Sequence, residues 1–269
     1  MISVSATVGT TTTVAPPDQV TPDADAVVRL SAASAEGGAT ATGRVVLVIG
    51  GEPVTVEMTV PAGPCAVEDV LPIVHGLSSL FATRATLRAE SEGRSVSCRA
   101  GCGACCRQMV PVSIAEARAL ARLVEAMPEP RRGHVRRRFQ AAIAALDAGG
   151  VLDRLDADPG DRRAAGRAYF EAGVACPLLE DEACSIHADR PLACREYLVT
   201  SPPELCATLA PEVEKLALEA TPSLALLHAD LREGWLPLVL ALVQDAKSPP
   251  SPRHRTGADI LKDVVARMG

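Results

Sequence analysis

The chain has 269 residues, 48% of them hydrophobic, and 27 basic against 33 acidic side chains leave a net charge of -6. That length holds one large domain or two small ones, with enough apolar residues for a sizeable core. The acidic balance argues against a dedicated nucleic-acid binder, and the six aromatics (Phe81, Phe139, Phe170, Tyr169, Tyr197 and Trp235) are too scattered for a base-stacking platform. No apolar run reaches membrane-spanning length; the longest candidate is the nine residues from Trp235 to Val243. The opening MISVSATVGT lacks the basic and apolar regions of a signal peptide. A cytoplasmic protein with no membrane partner is therefore expected.

Residues 1–42 are rich in Thr, Ala, Pro, Gly and Ser without sustained periodicity, which predicts a flexible lead-in. Two β-branched runs then flank Gly50-Gly51, predicting a hairpin over 44–60. Val70, Val74, Leu77, Leu80, Phe81 and Leu87 recur at helical spacings, so a helix is expected over 67–92, ending at Gly93. Ser113-Ile114-Ala115-Glu116 is a capping box that opens an Ala/Leu-rich helix stopping before Pro128. A second helix over 130–147 should pair with it as an antiparallel hairpin. Residues 153–163 read as an acidic loop, and 162–172 as a short helix. A further short helix is expected over 191–198, with Pro191 at its first position. The tail shows helical patterns near 212–232, 235–246 and 257–268, and its Ser248–Pro252 linker should be extended.

Nine cysteines carry the chemical information, at 65, 98, 102, 105, 106, 176, 184, 194 and 206. With no export signal, a reduced metal-binding protein is a better reading than a disulfide framework. Cys98, Cys102, Cys105 and Cys106 fall within nine residues, and a loop turning into a helix near 104 would bring their sulfurs into a small volume. Cys176, Cys184 and Cys194 form a second group in a loop-rich stretch. Zinc takes four ligands and iron-sulfur clusters are commonly held by four cysteines, so seven thiolates, or eight with Cys206, exceed one tetrahedral site. Either two ions, or one cluster with an additional site, would use them. Few large apolar residues lie in 176–206, so a metal there should contribute directly to folding. Arg99, Arg107, Arg190 and Arg195 are placed to offset thiolate charge. The basic run Arg131–Arg138 reads as a solvated helix face that could also touch phosphate or an acidic partner.

CRAGCGACC followed by CPLLEDEACSIHADRPLACREY resembles the YkgJ family of cysteine cluster proteins, zinc- or iron-chelating domains. The family pattern is C-x3-C-x2-CC, CP-[LF]-L, C-x-[IV]-[YH] and RP-x2-CR. Its cysteines correspond to Cys98, Cys102, Cys105, Cys106, Cys176, Cys184 and Cys194, and Arg190, Pro191 and Arg195 match as well. His187 stands where Tyr is common. The resemblance covers about 95–200 and implies zinc or an iron-sulfur cluster as cofactor, with those seven cysteines as metal ligands. Flagellin lysine-N-methylase resembles the same pattern, which leaves an iron-sulfur-dependent enzyme as an alternative. An adaptor with a purely structural metal site is another. Cys98-x3-Cys102-x2-Cys105 also has the radical S-adenosylmethionine spacing, but the chain lacks the alternating strand-helix pattern of that barrel.

The expected fold is thus mainly α with a small N-terminal β-hairpin, its helices and loops organised around a cysteine-ligated metal centre. The expected segments are a flexible 1–42, a hairpin plus helix over 43–94, a cysteine-cluster domain over 95–206 and a helical extension over 207–269. No catalytic residue, substrate or protein partner is legible.

Overall fold

The computed structural model describes residues 4–6, 27–32, 38–157, 162–229, 234–243 and 252–268. It begins with strands β1 (Val4–Ala6), β2 (Val28–Ser31), β3 (Thr40–Ile49), β4 (Glu52–Pro61) and β5 (Pro64–Cys65). Helix α1 (Leu71–Ser91) follows a 3-10 turn at Val67–Val70. Strand β6 (Pro111–Ser113) leads into α2 (Ile114–Glu125), α3 (Arg131–Ala148), α4 (Val151–Ala157) and α5 (Arg162–Glu171). Then come β7 (Leu179–Glu180), β8 (Ala183–Cys184), α6 (Leu192–Glu196), α7 (Pro203–Ala207) and α8 (Pro222–Ala229). The chain closes with β9 (Trp235–Pro237), β10 (Arg255–Thr256) and α9 (Gly257–Ala266). The fold is mainly α with small sheets.

Two compact units result, one comprising 1–88, 217–232 and 250–269, the other 89–216 and 233–249. In the first, β3 and β4 form the expected hairpin. Gly50 and Gly51 both take positive φ, 65° and 82°, as a tight two-residue turn requires. The hairpin is not isolated. It is the centre of a four-stranded sheet in the order β1-β3-β4-β2, with β2 parallel to β4. The lead-in read as flexible therefore supplies two strands; its other residues fall largely outside the described ones. Alternation places Val45, Leu47 and Ile49 of β3 and Val54 and Val56 of β4 in the core. Val70, Leu71, Ile73, Val74, Leu77, Leu80 and Phe81 are also buried, on the helix expected over 67–92.

That helix, Val67–Ser91, is long and apolar enough to cross a membrane, by length and composition. It is not an unbroken apolar run, since His75, Ser78, Ser79 and Arg84 interrupt it. Half of its most apolar window is buried against the protein.

The second unit is built on α2 and α3. Ser113 Oγ accepts from Glu116 N at 3.2 Å, and the Glu116 carboxylate accepts from Ser113 N at 3.0 Å, so the capping box forms as read. The same carboxylate also accepts from Leu192 N at 2.9 Å, tying the start of α2 to the start of α6. Leu120, Val124, Val135 and Phe139 of the two helices pack in one cluster with Leu178, Ile186, Leu236 and Leu238.

Three local readings are corrected. The acidic stretch beginning at 153 is helical to Ala157, because Val151, Leu152 and Leu155 pack against Leu146 and Tyr169. Pro191 precedes α6 as its N-cap instead of opening it. Among the described residues of the tail, helix is found in α8, in α9 and over 238–243, where a 3-10 turn at Leu238–Leu240 runs into α-helical residues. Leu216 N instead donates to Leu198 O at 2.8 Å, and Trp235–Pro237 pairs with β6 as a strand. Of the linker Ser248–Pro252, only Pro252 falls within the described residues.

Ser113→Ala should cost about 1 kcal/mol, the usual value of an N-cap. Glu116→Ala should cost about 3 kcal/mol, since it leaves two buried amides unpaired. Urea unfolding of both variants distinguishes this shared role from that of a simple helix cap, for which the two losses would be equal.

Candidate metal centre

Residues 98–108 fold as successive tight turns in place of the expected helix. Cys102 N donates to Arg99 O, Cys106 N to Gly103 O and Gln108 N to Cys105 O. Several short links fasten these turns to the second cysteine segment. Cys176 N donates to Cys106 O at 2.7 Å, and Ser97 N donates to Val199 O at 2.9 Å. The Cys98 thiol donates to Tyr197 O, with Sγ 3.6 Å away, and Gln108 Nε2 donates to Cys206 O at 3.1 Å. Arg107 forks onto both carboxylate oxygens of Glu182 at 3.0 and 2.7 Å.

Gly103 makes the closest approach. A Cβ there would lie 2.3 Å from Glu182 O and 2.6 Å from Leu179 Cδ1. Glu182 belongs to the β7–β8 turn, where Asp181 and Glu182 take positive φ of 48° and 56°. Non-glycine residues adopt that conformation at a cost, so surrounding contacts must hold it. Arg107 holds Glu182, while Arg138 donates to Leu179 O at 3.0 Å and pairs with Glu180. Leu178 and Ile186, on either side of the turn, are buried against α2 and α3. The cysteine-rich stretch thus has an apolar anchor that its composition did not suggest.

The two cysteine segments lie side by side, within electrostatic reach of each other. Cys105 is the hub, since its charge is felt by Cys98, Cys106, Cys176, Cys184 and Cys194. Cys102 borders Cys98 and Cys206. Cys206 is buried in α7 beside Cys105 and Cys102, and Tyr197 bonds to its sulfur. Cys65 is not part of this group; it lies in the sheet unit, on β5.

Burial raises the thiols of Cys98, Cys184, Cys194 and Cys206, and that of Cys176 to about 11. In the vicinal pair, a hydrogen bond from Cys106 draws Cys105 down to about 7 and pushes Cys106 up.

Of the four arginines expected to offset thiolate charge, Arg190 has the widest reach. Its cation lowers Cys105, Cys184 and Cys194. Arg195 is turned toward backbone, donating to Arg190 O at 2.9 Å and to Ala188 O. Arg107 is committed to Glu182, and Arg99 is exposed. His187 Nε2 accepts from Arg190 at 3.0 Å, so its lone pair there is engaged.

Among the described residues, no three His, Cys, Asp or Glu side chains stand in a ready metal-coordinating arrangement. The donor set nevertheless suits a soft thiophilic metal. Arg190 Nε is buried without a hydrogen-bond partner, as a donor directed at metal-bound sulfur would be. In the sequence, Gly101 and Gly103 signal only a loop within the cysteine motif, and Gln108 and Tyr197 carry no signal.

Gly103→Ala should force the two segments apart and reduce metal retained per chain by about half or more, while α-helical circular dichroism persists. Gly101→Ala, where an added Cβ meets nothing within 4 Å, does not block the segments' approach, although its φ of 89° adds local strain. Metal analysis of the purified variants should therefore rank Gly103→Ala below Gly101→Ala.

No curated protein and no solved structure matches the chain. Residues 97–210 match the family model described as "CxxCxxCC: Putative zinc- or iron-chelating domain". That span takes in both cysteine segments and Cys206, and it is similar to that cysteine-cluster domain.

Proposed function

We propose that this domain holds an iron-sulfur cluster through thiolates of both segments, drawn from Cys98, Cys102, Cys105, Cys106, Cys176, Cys184 and Cys194. The observation that carries this reading is the Cys106 O to Cys176 N hydrogen bond of 2.7 Å, which joins two cysteine segments some 70 residues apart in sequence. Seven thiols, with Cys206 as an eighth, exceed the four that one structural zinc uses, and this excess together with the vicinal Cys105-Cys106 pair speaks against a single structural zinc site. Bound there, such a cluster would supply electron transfer or an open iron. The chain's own contribution is to shield the thiols, fix their spacing through Gly103 and place the Arg190 cation beside them.

Anaerobic purification should give a brown protein containing iron and acid-labile sulfide. A colourless protein with stoichiometric zinc and no sulfide would replace this reading with a structural zinc site.

Loss of the metal should also loosen the second segment. A structural metal site contributes on the order of 10 kcal/mol to folding. Cys184→Ser, or chelation of the wild type, should open trypsin cleavage after Arg195, while most helical circular dichroism remains. Unchanged digestion after demonstrated metal loss would show that Leu178, Ile186 and Leu192 hold the segment unaided.

A further inference from the structure

Arg131, His134, Arg137, Arg138 and Ala141 recur at spacings of three and four along α3 and so share one face. With Pro130 and Glu180 they line an open groove of about 680 Å³ beside the β7–β8 turn. Two of its cations are partly engaged. Arg131 donates to Ser185 O at 2.9 Å, and Arg138 is held by Leu179 O and Glu180. Arg137 and His134 are exposed, and neither side chain has a hydrogen bond or ion pair with the described residues. Glu180 is the one acid in the lining, and Arg138 already neutralises it. The groove therefore carries net positive charge on a chain whose net charge is -6.

We infer that this groove docks an acidic peptide segment of a protein partner. Guanidinium groups pair with carboxylates in a forked geometry, and Arg137 is free to do so. Pro130, Ala141 and the arginine stems offer apolar contact between the charges. From 131 to 141 the face runs about 15 Å at ~1.5 Å per residue, room for an extended segment of about four to five residues. Small-molecule pockets enclose most of their ligand, whereas this open groove leaves one side wet, which favours a peptide over a nucleotide or free phosphate. The neighbouring turn ends at Cys184, so a docked peptide would lie beside the cysteine cluster.

The test uses the full chain as purified and a fluorescein-labelled ten-residue Asp/Glu peptide, followed by anisotropy at low and high salt. Arg137→Glu should weaken binding about tenfold or more. Arg154→Glu, the same charge change at an exposed position on α4 outside the groove, should weaken it about twofold or less. Arg137→Ala should fall between them, and circular dichroism should be unchanged in all three. Equal losses for Arg137→Glu and Arg154→Glu would overturn the proposal, as would the absence of saturable binding at low salt. Displacement of the peptide by millimolar inorganic phosphate or ATP would make the groove a phosphate site instead and equally overturn it.

Discussion

The cysteine centre depends on one close approach of backbone to backbone. Gly103 lets the 98–108 turns lie against the β7–β8 turn, where any side chain would collide with Glu182 O at 2.3 Å. The hydrogen bond from Cys176 N to Cys106 O then fixes the register between the segments. A misplacement of one residue there would direct the sulfurs apart. Much of the surrounding structure supports this contact. The α2–α3 pair buries Leu178 and Ile186, Arg107 and Arg138 hold the turn, and Glu116 fixes the start of α6, which carries Cys194.

These supports differ in energetic character. Leu178, at 1% exposure, contributes through burial, worth about 1.5–3 kcal/mol for a fully buried Leu. The Arg107–Glu182 pair is largely exposed, with side chains 34% and 66% accessible, and such a pair contributes at most about 1 kcal/mol. The segments are therefore positioned mainly by apolar packing and backbone bonding. The thiols remain the costly element. Their burial raises most of them, and Arg190 opposes that rise at Cys184 and Cys194. A soft metal that replaces the thiol protons would offset the thiolate charge as it forms and give the Arg190 donor a metal-bound sulfur to face.

The hairpin was legible because Gly50-Gly51 between β-branched runs has few other uses, and the capping box because Ser113 and Glu116 satisfy each other locally. Both are short-range signals. The four-stranded sheet was not legible, since β1 and β2 are brief strands in a Thr/Ala/Pro-rich stretch and acquire order only by pairing with β3 and β4. The 151–157 helix was missed because Val151, Leu152 and Leu155 find partners only in the tertiary structure, while Asp153 between them is exposed. At the site, the two cysteine segments were legible from their spacing, but the central position of Cys105 was not. Nothing in the spacing distinguishes Cys105 from Cys106, or Arg190 from Arg195; those differences arise from which groups the fold places beside them.

The central claim is that both segments serve one centre. Cysteine alkylation read by mass spectrometry tests it most directly, on anaerobically metal-loaded protein titrated with a chelator. The account predicts that Cys98, Cys102, Cys105 and Cys106 lose protection together with Cys176, Cys184 and Cys194, along the same curve as metal release. Protection confined to one segment, or two segments deprotected at separate chelator concentrations with no shared loss, would contradict it.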